Sequence, residues 1–391
     1  MRRLSLSLYL LIALAELLHW AIVPLIPEYA ERFSLSDFAA GALVASTGLA
    51  TLVISVPAGL LADRLPARRL TLLAGATMAT AAFAQALAPS YAVLLAARLV
   101  FGLGFGIVWT AGLAWLSEAT STDRPPPALG ATVTSAGVGI VVAPGFAGLV
   151  AAQLGLAAPF AIAGVATLAV TAVLATAGRG QAAPAAKEGL TLAALRAAGG
   201  EPGVLAGLAA ILIGGLVGST ISLLAPLELH AAGFSEASIG LTFSGAALIF
   251  IVASAATVRL GERVINVRSV LAGGLAFALT LTPATLSGAA LAIIAVICAS
   301  APLRALLFTA AYPLGAAHGT SVGAAIGMLN GAWALTSVVG PLCGGALAEA
   351  IGARGAYGCL QALSLAVVGA LWLRLRRDVA VRGRPALTRS G

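Results

Sequence analysis

Charge is what this chain most lacks. Only 9% of its 391 residues are Asp, Glu, Lys or Arg, against roughly 25% in a soluble domain. There are three cysteines, Cys298, Cys343 and Cys359, and none has a metal-ligand spacing or a disulfide-framework pattern. All three fall in apolar runs, where burial as small hydrophobes is expected. Histidine is as scarce: His19, His230 and His318 stand far apart, and no H-E-x-x-H occurs, which leaves little for metal or nucleophile chemistry. No phosphate-cradling G-x-x-x-x-G-K-[ST] loop occurs either, so nothing points to direct use of ATP.

What is present is apolar. Hydrophobic residues make up 60% of the chain, glycine contributes 46, and mean hydropathy is +1.04. A membrane-crossing helix needs about 20 apolar residues. Apolar runs of that kind are read at about 5–27, 38–62, 70–90, 91–117, 128–152, 157–177, 204–228, 237–258, 267–285, 287–313, 320–350 and 354–373. Twelve such spans use about 240 residues, leaving loops, a linker and a tail but no soluble domain. The expected fold class is an all-α membrane protein of twelve transmembrane helices. Its many small residues would let helix backbones approach closely in lipid.

The net charge of +8 is explained by topology. With the N-terminus inside, eighteen of the 22 Lys and Arg residues lie on the cytoplasmic side, and only Arg32 and Arg354 lie outside. That bias predicts both termini in the cytoplasm of a cell (inner or plasma) membrane, and it removes the reason to infer a nucleic-acid partner. Met1–Arg2–Arg3 and Ala13–Leu14–Ala15 imitate a cleaved signal, but the apolar run continues to Pro27, so an uncleaved first span is expected.

The chain also repeats itself. Pro27, Ser36 and Gly41 correspond to Pro226, Ser235 and Gly240 at an offset of 199, and Leu61–Ala62–Asp63–Arg64 falls on Leu260–Gly261–Glu262–Arg263. The same offset pairs Thr110 with Thr309. Ala143–Pro144–Gly145–Phe146–Ala147–Gly148 matches Gly340–Pro341–Leu342–Cys343–Gly344–Gly345 at an offset of 197. Spans 1–6 are therefore echoed by spans 7–12 in the same orientation, a parallel repeat. The expected organisation is a six-helix bundle at 1–177, a linker at 178–203, a second bundle at 204–373 and a basic tail at 374–391.

Between spans 2 and 3 the chain reads Pro57–Ala58–Gly59–Leu60–Leu61–Ala62–Asp63–Arg64–Leu65–Pro66–Ala67–Arg68. This resembles the loop signature G-x-L-A-D-R-x-G-R-K of the major facilitator superfamily of transporters. Pro66 and Ala67 depart from the pattern, and Pro66 cannot make a left-handed turn. Leu95–Ala96–Ala97–Arg98–Leu99–Val100–Phe101–Gly102 is similar to the family's R-x-x-Q-G element, with Phe101 in place of the polar residue. Ala21–Ile22–Val23–Pro24–Leu25–Ile26–Pro27 resembles the first-helix end of drug:proton antiporters, the group to which the chain is most similar. Gly139 through Pro144 to Gly148 resembles the antiporter motif G-x-x-x-G-P-x-x-G-G, and the copy at Gly340, Pro341, Gly344 and Gly345 keeps its second part.

The resemblance implies that Gly59, Asp63, Arg64 and Arg68, with Glu262 and Arg263 in the second copy, form a gate at the inner ends of two rocking halves. The glycine-proline motifs would pack the half-to-half interface. Spans 1, 4, 7 and 10 would line a central cavity. In span 1, Glu16 lies roughly 16 Å deep and His19 one turn away, while Arg98 lies roughly 10 Å from its own membrane face at 1.5 Å per residue. Ionisable groups inside a membrane are costly and mark function by default. A buried carboxyl beside a cation can take up and release a proton, so Glu16 is read as the proton carrier, Arg98 as its modulator and His19 as a relay or a satisfied interior imidazole. Arg304, Trp20, Thr220, Tyr312 and Asn330 are candidates for substrate contact.

The function expected is secondary active transport: proton-coupled efflux of a small drug-like or metabolite molecule by alternating access, by a monomer in the lipid bilayer. No cofactor is expected, the proton gradient supplying the drive. Uptake of a sugar or other metabolite remains open, and a membrane-embedded enzyme or a receptor is the remote alternative.

Overall fold

A computed structural model describes residues 2–62, 65–119, 126–176, 196, 198–316 and 322–382. Among them every regular element is a helix. A lone helix satisfies all its own backbone groups, which lipid demands of any spanning segment. The order is α1 (Arg2–Trp20), α2 (Ile26–Phe33), α3 (Asp37–Ala62), α4 (Ala67–Ala86), α5 (Tyr91–Ile107), α6 (Leu113–Ala119), α7 (Pro126–Leu154) and α8 (Ala157–Thr176). It continues with α9 (Pro202–Ala231), α10 (Glu236–Leu260), α11 (Val267–Leu279), α12 (Thr282–Leu286), α13 (Ala290–Ala316) and α14 (Val322–Arg382).

Most interruptions have a local cause. Pro24 and Pro27 remove two helical donors, and α1 passes into α2 through a 3-10 turn at Val23–Leu25. Between α5 and α6 the chain winds into a π turn at Val108–Gly112. Gly352, with φ at 77°, breaks α14. Ten described segments are long and apolar enough to cross a membrane, so the chain is an all-α, multi-pass membrane protein. Two differences separate ten from the twelve runs expected. The 20-residue α4 is not among the ten, and Ala324–Arg376 counts as one segment of 53 residues. At 1.5 Å per residue a straight helix of that length would be roughly 80 Å, far beyond a hydrocarbon core of about 30 Å. The surface fits a bilayer: Val53, Leu73, Val165, Val252 and Leu291 are all exposed. Cys298 is half-buried, but Cys343 and Cys359 are exposed, against the expectation of burial; both lie in α14, where an apolar neighbour suits a thiol as well as a core does.

The internal repeat reappears in the backbone. Residues with positive φ occur at Ser34 (51°) and Gly233 (89°), 199 apart, and at Gly155 (85°) and Gly352 (77°), 197 apart. These four turns lie at one end of the helices. At that end the N-terminal helices α1–α8 interlock with the C-terminal helices α9–α14 through reciprocal glycines. Gly41 of α3 lies against the Pro341 carbonyl, and Gly240 of α10 against the Pro144 carbonyl. Gly148 of α7 meets the Glu236 carbonyl, and Gly345 of α14 meets that of Asp37. A Cβ at any of the four would collide with backbone of the opposing helix. The same end carries His230, whose Nε2 lies 2.8 Å from Glu31 Oε1 and whose Nδ1 lies 3.9 Å from Glu28 Oε1. The Phe38 amide donates to Glu349 Oε2 at 3.3 Å.

Candidate functional site

Beneath the interlock lies a cavity of about 240 Å³ between the N-terminal and C-terminal helices. Glu16, His19 and Trp20 reach it from α1, Arg98 and Phe105 from α5, and Arg304 and Phe308 from α13. Gly214, Gly218, Ser219 and Ser222 of α9, Phe250 of α10 and Trp333 of α14 also line it, as do Val44 and Gly48 of α3 and Ile140 of α7. A smaller space of about 40 Å³ adjoins it through Trp20, Ile140, Ser222, Ala247 and Arg304.

Glu16 is 6% exposed. Its Oε2 accepts the Trp20 indole N–H at 3.1 Å, and its Oε1 accepts that of Trp109, also at 3.1 Å. Indole is a donor only, so each carboxyl oxygen accepts one bond and keeps a lone pair. Trp109 sits on the π turn, a distortion that recurs at functional sites. Gly139 of α7 lies against the Ala13 carbonyl, and a Cβ there would come within 2.8 Å of Glu16 Cβ. The glycine of the first motif thus lets α7 pack at the level of the buried acid.

Arg98 is 1% exposed and shares the cavity with Glu16, but among the described residues no ion pair joins them. Its Nη1 donates instead to the Leu18 carbonyl at 3.4 Å, and its guanidinium lies 5.7 Å from the Phe101 ring centroid. Leu18 lies in the last turn of α1, where carbonyls run short of intrahelical donors, so a cation at this position also caps the helix. Its Nε is buried without a partner. His19 stacks on Phe105 at 5.2 Å and meets Trp20 edge-on at 5.1 Å. Among the described residues its Nδ1 has no hydrogen-bond partner.

The candidates for substrate contact divide. Trp20 and Arg304 line the cavity. Thr220 does not: it is fully buried, its hydroxyl donates to the Gly340 carbonyl at 2.9 Å, and it packs α9 onto α14. Tyr312 and Asn330 bond each other at 2.8 Å outside the cavity wall. Sequence reasoning missed Trp109, Phe105, Phe250, Phe308 and Trp333. Scarcity was the available signal: of five tryptophans in the chain, three surround this cavity or its acid.

Of the gate residues, Asp63 and Arg64 lie outside the described residues, as do His318 and most of the linker and tail. Gly59 is in the last turn of α3. Arg68 donates through Nη2 to the Ala175 carbonyl at 2.5 Å, tying α4 to the end of α8. Glu262 and Arg263 form an exposed 3-10 turn whose carbonyls accept from the Asn266 side chain. Pro66 is extended, at φ −55° and ψ 133°, its φ being the one its ring fixes. The glycine-proline motifs pack as the resemblance implies in part. Pro144, Gly148, Pro341 and Gly345 meet the opposite set of helices, whereas Gly139, Gly340 and Gly344 pack within their own set.

A family model described as Major Facilitator Superfamily matches residues 8–319. The chain is similar to the "Uncharacterized MFS-type transporter C18.02" of Schizosaccharomyces pombe, 30% identical over 37% of this chain and 34% of that one. It is also similar to the "Probable vesicular acetylcholine transporter-B" of Danio rerio, 31% identical over 38% of this chain and 32% of that one. The chain thus matches about a third of the length of these curated relatives. Among solved structures, a bacterial homolog to the human lysosomal transporter Spinster, inward-facing and unoccupied, superposes with a TM-score of 0.78. That superposition covers 98% of both chains at 17% identity, a likeness of fold alone.

Proposed function

Because this chain belongs to the Major Facilitator Superfamily, a family of membrane transporters and not of enzymes, we propose that it is a proton-coupled secondary transporter that exports a small molecule by alternating access. Twelve spans carry the motion, counting α4 and the two arms of α14 either side of Gly352. They form two six-helix bundles, 1–177 and 204–373, that rock about the cavity as a monomer. Both termini are cytoplasmic, so the interlocked end faces out and the cavity receives substrate from within. Asp63, Arg64 and Arg68, with Glu262 and Arg263, join the inner ends when the outside opens.

The observation that carries this reading is the enclosure of Glu16 in the cavity between the two sets of helices, bound only by indole donors. A carboxyl placed there can change its proton as access alternates, and Arg98 on the same wall favours release. No cofactor enters; the proton gradient drives the cycle.

The test is a panel of toxic compounds applied to cells with and without the gene, followed by flux in inverted vesicles under an imposed pH gradient. Selective sensitivity without the gene is expected, with resistance restored by wild type and not by Glu16→Gln. Flux indifferent to the pH gradient, with Glu16→Gln fully active, would overturn the proton reading. Accumulation in cells instead of efflux would overturn the direction.

A further inference from the structure

Arg304 stands in the cavity wall without an acid. Among the described residues its guanidinium has neither an ion-pair partner nor a hydrogen-bond acceptor. The side chain is nevertheless seated. A Cβ added at Gly218 would lie 2.6 Å from its Nη1, and one at Gly214 would lie 3.6 Å from its Cγ. These glycines are one turn apart on α9, so together they leave the space that the arginine fills. The Phe250 ring centroid lies 5.1 Å from the guanidinium carbon.

The repeat sharpens the point. At the offset of 199, Arg304 falls on Phe105 and Gly218 on His19. In the N-terminal helices that pair is an imidazole stacked on a phenyl ring. In the C-terminal helices the same two positions hold a glycine and a guanidinium in contact. The other charged groups of the cavity each have a protein partner: Arg98 donates through Nη1 to the Leu18 carbonyl, and Glu16 accepts from Trp20 and Trp109. A guanidinium inside a membrane without a counter-ion is expensive, and its rigid fork of donors matches a planar oxyanion in two parallel hydrogen bonds.

We infer that the C-terminal wall of the cavity is an anion subsite, in which Arg304 takes the carboxylate of a compact amphipathic organic acid. The apolar body of that acid lies among Trp20, Phe250, Phe308 and Trp333. The volume of about 240 Å³ falls just below the range of drug-sized pockets, about 300–1,000 Å³, which favours an acid with one or two rings. This deepens the transport reading and rests on it for the acid's role as cargo.

Equilibrium binding tests the subsite without requiring transport. The purified full chain in detergent is titrated calorimetrically with 1-naphthoate, with the neutral 1-naphthalenemethanol and with the cationic 1-naphthylmethylammonium. Naphthoate is expected to bind at least about tenfold more tightly than either analogue. Arg304→Gln should bring the ratio near one, and Arg304→Lys should leave an intermediate ratio because lysine keeps the charge and loses the fork. Gly218→Ala, whose Cβ would displace Nη1, should shrink the ratio as well, and it decides the question if Arg304→Gln fails to fold. Absent naphthoate binding, equal binding of the alcohol or the ammonium, or a preference that survives both Arg304→Gln and Gly218→Ala would overturn the inference. Naphthoate binding with no vesicle flux of any compound would sink the transport reading alone. Proton-driven flux without anion preference would sink the subsite alone.

Discussion

The N-terminal and C-terminal walls of the cavity share a scaffold and differ in chemistry. At the offset of 199, Glu16 corresponds to Gly215, His19 to Gly218, Trp20 to Ser219, Arg98 to Ile297 and Phe105 to Arg304. Every ionisable group on one wall therefore faces the loss of its counterpart on the other. The structural glycines behave in the opposite way: Gly41 with Gly240, and Gly148 with Gly345, are kept as pairs and make equivalent contacts. Backbone approach is a demand that both copies must meet for the helices to interlock at all. Side-chain chemistry is under no such symmetry, so one wall can hold an acid and the other an unpaired cation.

The sharpest way to break the comparison is to place the same amide in each set of helices. Glu16→Gln should reduce flux driven by a pH gradient on the order of 100-fold, whereas Ile297→Gln, at the C-terminal counterpart of Arg98 beside the smaller space, should leave the pH dependence intact. Flux assays of both variants in vesicles decide it, and equal losses would show that the two walls are not specialised.

Next come the paired glycines. Gly148→Ala and Gly345→Ala each push a Cβ into backbone across the interlock and should each destabilise the interlocked form by about 1–3 kcal/mol. Thermal unfolding in detergent reads both, and strongly unequal shifts would mean that the reciprocity is geometric only. Ser244 offers a finer contrast. Its hydroxyl accepts from the Gly145 amide at 2.8 Å and donates to the Val141 carbonyl at 2.6 Å, and the repeat places Ala45 at its counterpart. Ser244→Ala should cost about 1 kcal/mol, and Ala45→Ser should bring no comparable gain in the same unfolding assay. Smallest of all, His230→Ala removes the partly exposed cross-half pair with Glu31 and should change stability by less than about 1 kcal/mol.

Much of this was legible before any coordinates. The offsets of 199 and 197, found from prolines and glycines, recur as positive-φ turns because a turn that needs left-handed backbone needs it in both copies. Depth along a helix was also legible, since residues rise uniformly: Glu16 and Arg98 do line one cavity. Rotation about the helix axis was not. A helix that is apolar all round carries no face signal, so Thr220, Tyr312 and Asn330 could not be told from true cavity residues. Nor could the tie from Arg98 to the Leu18 carbonyl be foreseen, because it depends on where α1 ends. Trp109 escaped for a similar reason: its reach to Glu16 comes through a π turn that no residue type announces.

The seat of the Ser244 hydroxyl bears on how readily the bundles part. It bridges the Gly145 amide and the Val141 carbonyl, two groups four residues apart on α7. If α10 withdraws, those two groups can close the helical turn, and the departing hydroxyl can bond the carbonyl four residues back on its own helix. Two bonds exist before and two after. A contact that staples the halves would then be exchanged rather than broken, leaving little enthalpic resistance at that point of the swing.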